Sequence, residues 1–392
     1  MNILYLSFSF DPDRGPAAIR NSLIAEELSK QEIVNTVHVI TTEPEEAIGG
    51  GFSPIQSHGK LKISKILVKT KCRGFLGQLI RYYKYQSFVR QRCKAANYDL
   101  VFATSSKLGT AFLGAYLATK TNSYFYLDIR DLFMETIDDY FPQIIFKPIK
   151  IALSIFDRYS IRRADKINAL STAFREPIKN INAAVPMSQI NHGVDLEFLP
   201  PLVKETTHSS LSIASQQSKK ILLYAGNFGF GQGIENVLSR VSYALPEDWE
   251  FHLYGSGSRK RKVLNAAETL PNVIVHPPVE REKLPKIYSD SDVLFLSLNS
   301  GKAFSKSIPS KIFEYCATGK PILGFCSGQL EQFVQENSLK GVHFFKDETL
   351  NDINDLLPEL VRKHYNRNHF VQKWDRRIQI ELMVDDILST VP

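Results

Sequence analysis

Cysteine is scarce in this chain. The 392 residues include four, Cys72, Cys93, Cys316 and Cys326. None forms a C-x-x-C pair and none has a histidine at zinc-ligand spacing, so a disulfide scaffold and a zinc ribbon are excluded. Buried free thiols in a reducing compartment are expected instead. Long apolar runs are missing too. The best stretch, 144–156, is broken by Lys147, Pro148 and Lys150, so no spanning helix is expected. No basic leader precedes the first apolar residues, so no signal peptide is expected. Asp and Glu are absent from residues 60–94, which hold eleven Lys or Arg. The net charge of the whole chain is +7, so the remainder is slightly acidic. One concentrated basic segment suits a local anionic surface rather than a protein basic throughout.

What is present reads as an α/β protein, and its length suggests two or three domains. Residues 3–8 form a short apolar run, 11–16 are turn chemistry, and Ile19, Leu23, Ile24 and Leu28 recur at helical spacing. Strands are expected at 36–41, 100–103 and 124–127, with a helix at 108–118. Residues 200–220, polar and poor in large apolar side chains, read as a linker. The pattern then restarts with the buried strand 221–225, a glycine-rich turn and a helix from about 234. Further strands are expected at 251–254, 273–275, 293–298 and 321–325, and a closing helix at 374–388. Strands alternating with helices imply doubly wound parallel sheets. The expected domains are 1–199, completed by a helix within 370–392, and 221–369.

Ligands of such sheets bind beyond the carboxyl ends of the strands, so the chemistry is expected in the loops after strands. Gly15 and Pro16 precede the first helix, where backbone can approach an anion. Gly226, Gly229, Gly231 and Gly233 crowd the turn after 221–225. That turn is neither a P-loop nor the dinucleotide fingerprint. Gly255-Ser256-Gly257 runs into Arg259, Lys260 and Arg261, which suits a phosphate. Pro309, Ser310 and Lys311 open a helix that carries Glu314 one turn on, where a carboxylate can accept both hydroxyls of a ribose. The competing readings are turn geometry at Gly15, a tight turn for packing at 226–233 and a solvated helix start at 255–261.

Segment 308–322 resembles the donor-site helix of the retaining nucleotide-sugar glycosyltransferases of family four. Gly226-Asn227 with Gln232-Gly233 resembles that family's loop after the first strand of its C-terminal domain. Asn191-His192-Gly193-Val194-Asp195 resembles its N-x-G-V-D signature. Asp128-Ile129-Arg130-Asp131-Leu132-Phe133 resembles the D-x-R-D segment of members that make bacterial O-antigen and capsule. Arg162-Arg163-Ala164-Asp165 with Ala169-Leu170-Ser171 resembles the A-D…S element.

The resemblance implies a GT-B fold, two Rossmann-like doubly wound domains facing across a cleft. It also implies transfer, with retention and without a metal or other cofactor, from a UDP-sugar to a polyprenyl-diphosphate-linked saccharide. The sugar it suggests is an N-acetylated hexosamine or deoxyhexosamine. Donor binding falls to Gly15, Gly226, Asn227, Gln232, Arg259, Lys306, Ser310, Lys311 and Glu314. Asp128, Arg130 and Asp131 are the catalytic set, with the two carboxylates orienting or deprotonating the acceptor hydroxyl. A capped turn with Arg130 in a local salt bridge is the competing reading of those three. The chain departs from the family at Lys306, where many members carry Glu, and at Asn227 and Gln232, where many carry Arg and Lys. Positive charge for the diphosphate must then come from Lys306, Lys311 or Arg259.

In the basic segment, Leu76, Leu79, Ile80 and Tyr83 fall on one helical face and Arg81, Lys84 and Arg92 on another. An interfacial helix on anionic lipid is expected, at the cytoplasmic face of the cell membrane. A core-facing helix with a solvated basic side is the alternative. No RNA-binding module is recognised, so nucleic acid is not an expected partner. A sugar-nucleotide epimerase and a non-catalytic sugar-nucleotide-binding scaffold are the rival functions.

Overall fold

The computed structural model describes residues 1–13, 15–43, 56–68, 74–93, 97–105, 109–132, 147–199, 219–346 and 352–392. Two compact units divide the chain. One comprises Met1–His192 with Arg377–Pro392, the other Gly193–Arg376. The second unit starts before residue 199 and runs past 370 because Val194, Phe198, Phe370 and Val371 pack into its core. Most of the expected linker, residues 200–218, lies outside the described residues.

The first unit holds an eight-stranded sheet, built from β1 (Asn2–Leu6), β2 (Thr36–Glu43), β3 (Gln56–His58), β4 (Leu61–Leu67), β5 (Leu100–Thr104), β6 (Tyr124–Ile129), β7 (Lys166–Ala169) and β8 (Met187–Ser188). The strand order is β3-β4-β2-β1-β5-β6-β7-β8. Every pair is parallel except β3 with β4. β1 and β5 are buried along nearly their whole length, as expected of strands covered on both faces. Helices α1 (Pro16–Lys30), α2 (Gly74–Arg92), α3 (Thr110–Thr121), α4 (Lys147–Arg163) and α5 (Arg175–Lys179) accompany the sheet. Tyr85, Phe88 and Val89 of α2, Leu113 and Leu117 of α3 and Ile161 of α4 share one apolar core. Ile24 and Leu28 of α1 share another with Ile380, Met383, Val384 and Ile387 near the end of the chain. Each side chain of this kind, fully buried, contributes about 1.5–3 kcal/mol.

The acid-free basic run is split between two elements. Lys62 and Lys65 belong to β4, a strand the charge pattern concealed, and Lys65 is buried there.

The second unit holds β9 (Lys220–Asn227), β10 (Trp249–Ser256), β11 (Val273–His276), β12 (Val293–Ser297), β13 (Ile322–Phe325) and β14 (Val342–Phe344). All pairs are parallel, in the order β11-β10-β9-β12-β13-β14. The helices are α6 (Ile234–Ala244), α7 (Lys260–Ala267), α8 (Leu284–Asp290), α9 (Lys311–Ala317), α10 (Gln329–Glu336), α11 (Ile353–Leu360), α12 (Asn368–Lys373) and α13 (Arg376–Leu388), of which α13 folds with the first unit from Arg377 onward. The strand order reverses at β1 in one sheet and at β9 in the other. A parallel sheet opens a crevice at such a reversal, beyond the strand ends.

Three of the four cysteines are described, and all three are free and buried. Burial pushes the thiols of Cys93 and Cys316 up to about 11. Cys72 lies outside the described residues.

Candidate functional site

In the second unit, β9 and β10 run in register to their ends, with Gly226 opposite Gly255 and Asn227 opposite Ser256. A Cβ on Gly255 would come within 1.9 Å of the Gly226 carbonyl oxygen, so glycine is required there for backbone to meet backbone. The glycine turn beyond β9 is tied down by the strand at the reversal. Ser297 Oγ donates to the Gln232 carbonyl at 2.7 Å, and the Asn299 amide donates to the Gly231 carbonyl at 2.8 Å. Asn227, exposed, reaches Gln232 Oε1 through Nδ2 at 3.4 Å.

The three candidate cations separate. Arg259 stacks on Phe230 at 5.1 Å and its Nε lies 3.6 Å from Glu235 Oε1. Its charge already has a partner. Lys306 ends the short 3-10 turn Phe304–Lys306, which packs on the glycine turn through Phe304 and Phe230 at 5.8 Å. Lys311, at the start of α9, folds back over Gly226. A Cβ on that glycine would sit 2.2 Å from Lys311 Cε and 3.0 Å from Nζ. Nζ also lies 5.8 Å from the Tyr315 ring centre, and it makes no hydrogen bond or ion pair among the described residues. Burial lowers the Lys311 pKa, Glu314 opposes that shift and Arg281 adds to it. Ser310 and Lys311 are half-buried, so the opening of α9 is not walled off, and Ser310 makes no side-chain cap.

Glu314 sits one turn into α9 and is 4% exposed. Its Oε1 is paired with Arg281 Nη1 at 3.2 Å, and its Oε2 accepts the Tyr288 hydroxyl at 3.1 Å. Arg281 also takes Glu197 through Nε at 2.8 Å and Asp195 through Nη2. Burial works against the Arg281 charge, but Glu314, Asp195 and Glu197 outweigh it and raise the pKa. Asp195 is bound on its other side by Arg376, at 2.7 Å. Burial raises the Asp195 pKa despite both arginines. Sequence reading missed Arg281, Tyr288 and Arg376, because nothing in the spacing of residues 195, 281, 314 and 376 marks them as neighbours.

In the first unit, three sequence motifs meet. Asp128, in β6, is 0% exposed. Arg20 Nη1 donates to its Oδ2 at 2.6 Å and Asn168 Nδ2 to its Oδ1 at 2.8 Å. Asn168 also exchanges hydrogen bonds with the backbone of Ile190, and Asn191 Nδ2 donates to the Leu170 carbonyl at 2.9 Å. The pairing gives Asp128 a structural role in this unit. Its carboxylate is buried and paired with Arg20, a charge that would be left uncompensated without it.

Arg130 instead meets His192, with Nη2 and Nε2 3.0 Å apart. Arg130 Nη1 is buried and finds no hydrogen-bond partner among the described residues. Burial, then the nearby Arg20 charge, lowers the Arg130 pKa to about 10. Asp131 is exposed, and its carbonyl accepts the Ser105 hydroxyl at 3.1 Å. Of the two aspartates, Asp128 is buried and Asp131 exposed. Phe133 lies outside the described residues. Gly15 precedes α1 with ordinary backbone angles, and its amide is taken by Asp13 Oδ1 at 3.1 Å. That turn offers an anion a carboxylate neighbour rather than a bare amide.

On α2, the core face is made by Tyr85, Phe88 and Val89, while Ile80 and Tyr83 are exposed beside Lys84 and Arg92. Arg81 is half-buried. The side chains of Leu76 and Leu79 lie outside the described residues. On α4, Ile151, Ile155 and Phe156 are exposed together with Arg158 and Arg162. No helix among the described residues is long and apolar enough to cross a membrane.

Residues 207–376 match the family model described as Glycosyl transferases group 1. A stretch of 104 residues is 31% identical to the putative colanic acid biosynthesis glycosyl transferase WcaI of Escherichia coli K12. It covers 26% of this chain and a quarter, 25%, of that relative. Solved structures resemble the chain over nearly its whole length. A sucrose-phosphate synthase of Thermosynechococcus elongatus matches with TM-score 0.71 at 13% identity, over 98% of this chain and 97% of that one. WaaG, a glycosyltransferase of lipopolysaccharide biosynthesis, matches with TM-score 0.68 at 16% identity, over 98% and 99%. Anabaena HepE, solved in complex with UDP, matches with TM-score 0.66 at 12% identity, over 99% and 100%. The fold is the α/β GT-B fold with two Rossmann-like domains.

Proposed function

We propose that this protein is a retaining glycosyltransferase. It moves a sugar, an N-acetylated amino or deoxyamino hexose, from a UDP-sugar to a lipid-linked saccharide during assembly of a surface polysaccharide such as O-antigen or capsule. The observation that carries the reading is the placement of Lys311 on Gly226 with Glu314 one turn further along α9. That puts an ammonium without a hydrogen bond or ion pair among the described residues, and a carboxylate, within the segment that matches the group 1 model, at the strand ends where the sheet order reverses.

The chemistry follows from charge. The bond from the anomeric carbon to the diphosphate oxygen breaks as the acceptor oxygen bonds to that carbon, and the acceptor proton leaves with the diphosphate or passes to a carboxylate. Negative charge grows on the departing oxygens. Lys311 is the side chain placed to receive it, and a charge-assisted hydrogen bond of this kind is worth about 1.5–3 kcal/mol. Lys306 adds charge nearby, while Asn227, Gln232 and the Ser310 backbone supply neutral donors. Glu314 accepts the ribose hydroxyls. Asp131 orients or deprotonates the acceptor hydroxyl, and Arg130 offers Nη1 to an acceptor oxygen. No metal or other cofactor enters this scheme.

The acceptor's lipid would bring the enzyme to the inner face of the cell membrane. The layer of α2, α3 and α4 suits an anionic leaflet. α2 carries four Lys or Arg, α3 one and α4 five, against the single acid Asp157. Ile151, Ile155, Phe156 and Tyr83 stand exposed among them. Apolar side chains interleaved with cations are what interfacial binding needs.

The test is turnover with a panel of UDP-sugars and a polyprenyl-diphosphate saccharide. UDP release that requires the acceptor, with a new glycosidic product of retained configuration, is the expected result. Donor converted without acceptor would establish an epimerase. Tight nucleotide binding with no turnover on any pair would establish a scaffold.

A further inference from the structure

The carboxylate assigned to the ribose does not stand alone. Glu314 belongs to a chain of charges running Glu314, Arg281, Asp195, Arg376, buried at its two ends and half-buried between, with the exposed Glu197 as a branch on Arg281. Arg281 lies in the short turn Arg281–Lys283 after β11. Its guanidinium is used on three edges at once, by Glu314, Glu197 and Asp195, and its face lies 4.7 Å from the Phe198 ring centre. Phe198 in turn stacks on Tyr288 at 5.5 Å, the residue that donates to the second oxygen of Glu314. The group that holds Glu314 is therefore itself held by two further carboxylates and an aromatic face.

We infer that Arg281 is a positioning residue for nucleoside recognition, holding the Glu314 carboxylate in the one orientation that presents an acceptor to each hydroxyl of a ribose. This rests on the reading of Glu314 given above. A carboxylate oxygen can accept about two hydrogen bonds. Arg281 takes one site on Oε1 and Tyr288 one on Oε2, which among the described residues leaves one site on each oxygen, the number a vicinal diol needs. Glutamate has three rotatable side-chain bonds, and without a fork on Oε1 the carboxylate would rotate away from that pose. A carboxylate this buried also needs a compensating cation. Lysine in place of Arg281 would keep the charge but could not reach three carboxylates with a planar fork.

The purely structural alternative is that Arg281 only staples the 195–198 segment to α9. The two differ in what they do to selectivity. Calorimetry on the full chain with UDP and with 2′-deoxy-UDP separates them. The unaltered protein should favour UDP by about tenfold, the scale of one lost hydrogen bond to a charged group. Arg281→Gln should bring that preference to about twofold or less while 2′-deoxy-UDP affinity changes little, and Arg281→Lys should fall between. An equal loss for both nucleotides, or an undiminished preference, overturns the inference. Glu314→Ala serves as the reference. If it abolishes the preference and Arg281→Gln does not, the ribose assignment stands and the Arg281 role falls. If Glu314→Ala retains the preference, or the unaltered protein binds neither nucleotide, both fall together. Should Arg281→Gln fail to fold, Arg281→Lys and Glu197→Gln, which loosens Arg281 from its exposed side, carry the same comparison.

Discussion

Lys311 occupies the space that a side chain at Gly226 would need. A methyl group there would lie 2.2 Å from Lys311 Cε, so the lysine and the glycine define each other. Gly226→Ala is expected to push the ammonium out of the glycine turn and to weaken UDP binding about tenfold, or about 1.4 kcal/mol. Titration calorimetry measures it, and an unaltered affinity would remove Lys311 from the diphosphate.

The same lysine sets a pH dependence. Burial lowers the Lys311 pKa, so the charged form is complete at low pH and is lost as pH rises, earlier than for an ordinary lysine. A diphosphate restores the charge. UDP affinity should therefore fall on the alkaline side with proton uptake on binding, and Lys311→Met should flatten that limb. Affinity measured across the alkaline range in two buffers of different ionisation heat reads both effects.

Glu314→Ala is expected to weaken UDP binding by about 1–3 kcal/mol. The change should be smaller for the diphosphate alone, because the carboxylate faces the nucleoside. Competition between UDP and pyrophosphate provides the measurement.

The two aspartates of the first unit should separate stability from chemistry. Asp128→Ala leaves Arg20 buried without its partner, and a broken buried pair costs about 3–5 kcal/mol. Denaturant unfolding should show that loss. Asp131, exposed, should be replaceable by Ala within about 0.5 kcal/mol of stability. The same change should slow glycosyl transfer by about 10²–10⁴-fold. Normal turnover in Asp131→Ala would remove it from the reaction.

Membrane binding should need both charge and apolar contact. Replacing Arg81, Lys84 and Arg92 by Gln is expected to release the protein from anionic liposomes, and Ile151→Ser with Ile155→Ser to weaken binding at constant charge. Co-sedimentation at two salt concentrations distinguishes the contributions, because only the first set alters the salt dependence. Undiminished sedimentation of both variants would defeat the proposal.

How far the sequence carried depends on whether the signal is local. The central strands were legible because burial on both faces leaves nearly unbroken apolar runs, as in 221–225 and 293–297. β4 was not, since Lys62 and Lys65 made its segment look like solvated charge. Glu314, Ser310 and Lys311 could be singled out because they share one helical turn. Arg281 could not, since its partners at 195, 197 and 314 are joined to it only by the fold. The surroundings of Asp128 were hidden for the same reason. Its charge partner, Arg20, lies on another element, and no pattern around 128–131 shows which of its two aspartates is covered.

Asp386 receives the hydroxyls of Tyr126 and Ser188, from β6 and β8, and pairs with Lys166 of β7 at 2.7 Å. Three strands that precede the second unit in the chain thus wait for a carboxylate that follows it. While the ribosome is still working, Ile24 and Leu28 have no cover from Ile380, Met383, Val384 and Ile387. The opening unit can mature only once translation has passed the second unit. A fragment stopping at residue 192 should be sticky, and supplying the 377–392 peptide in trans should rescue its solubility.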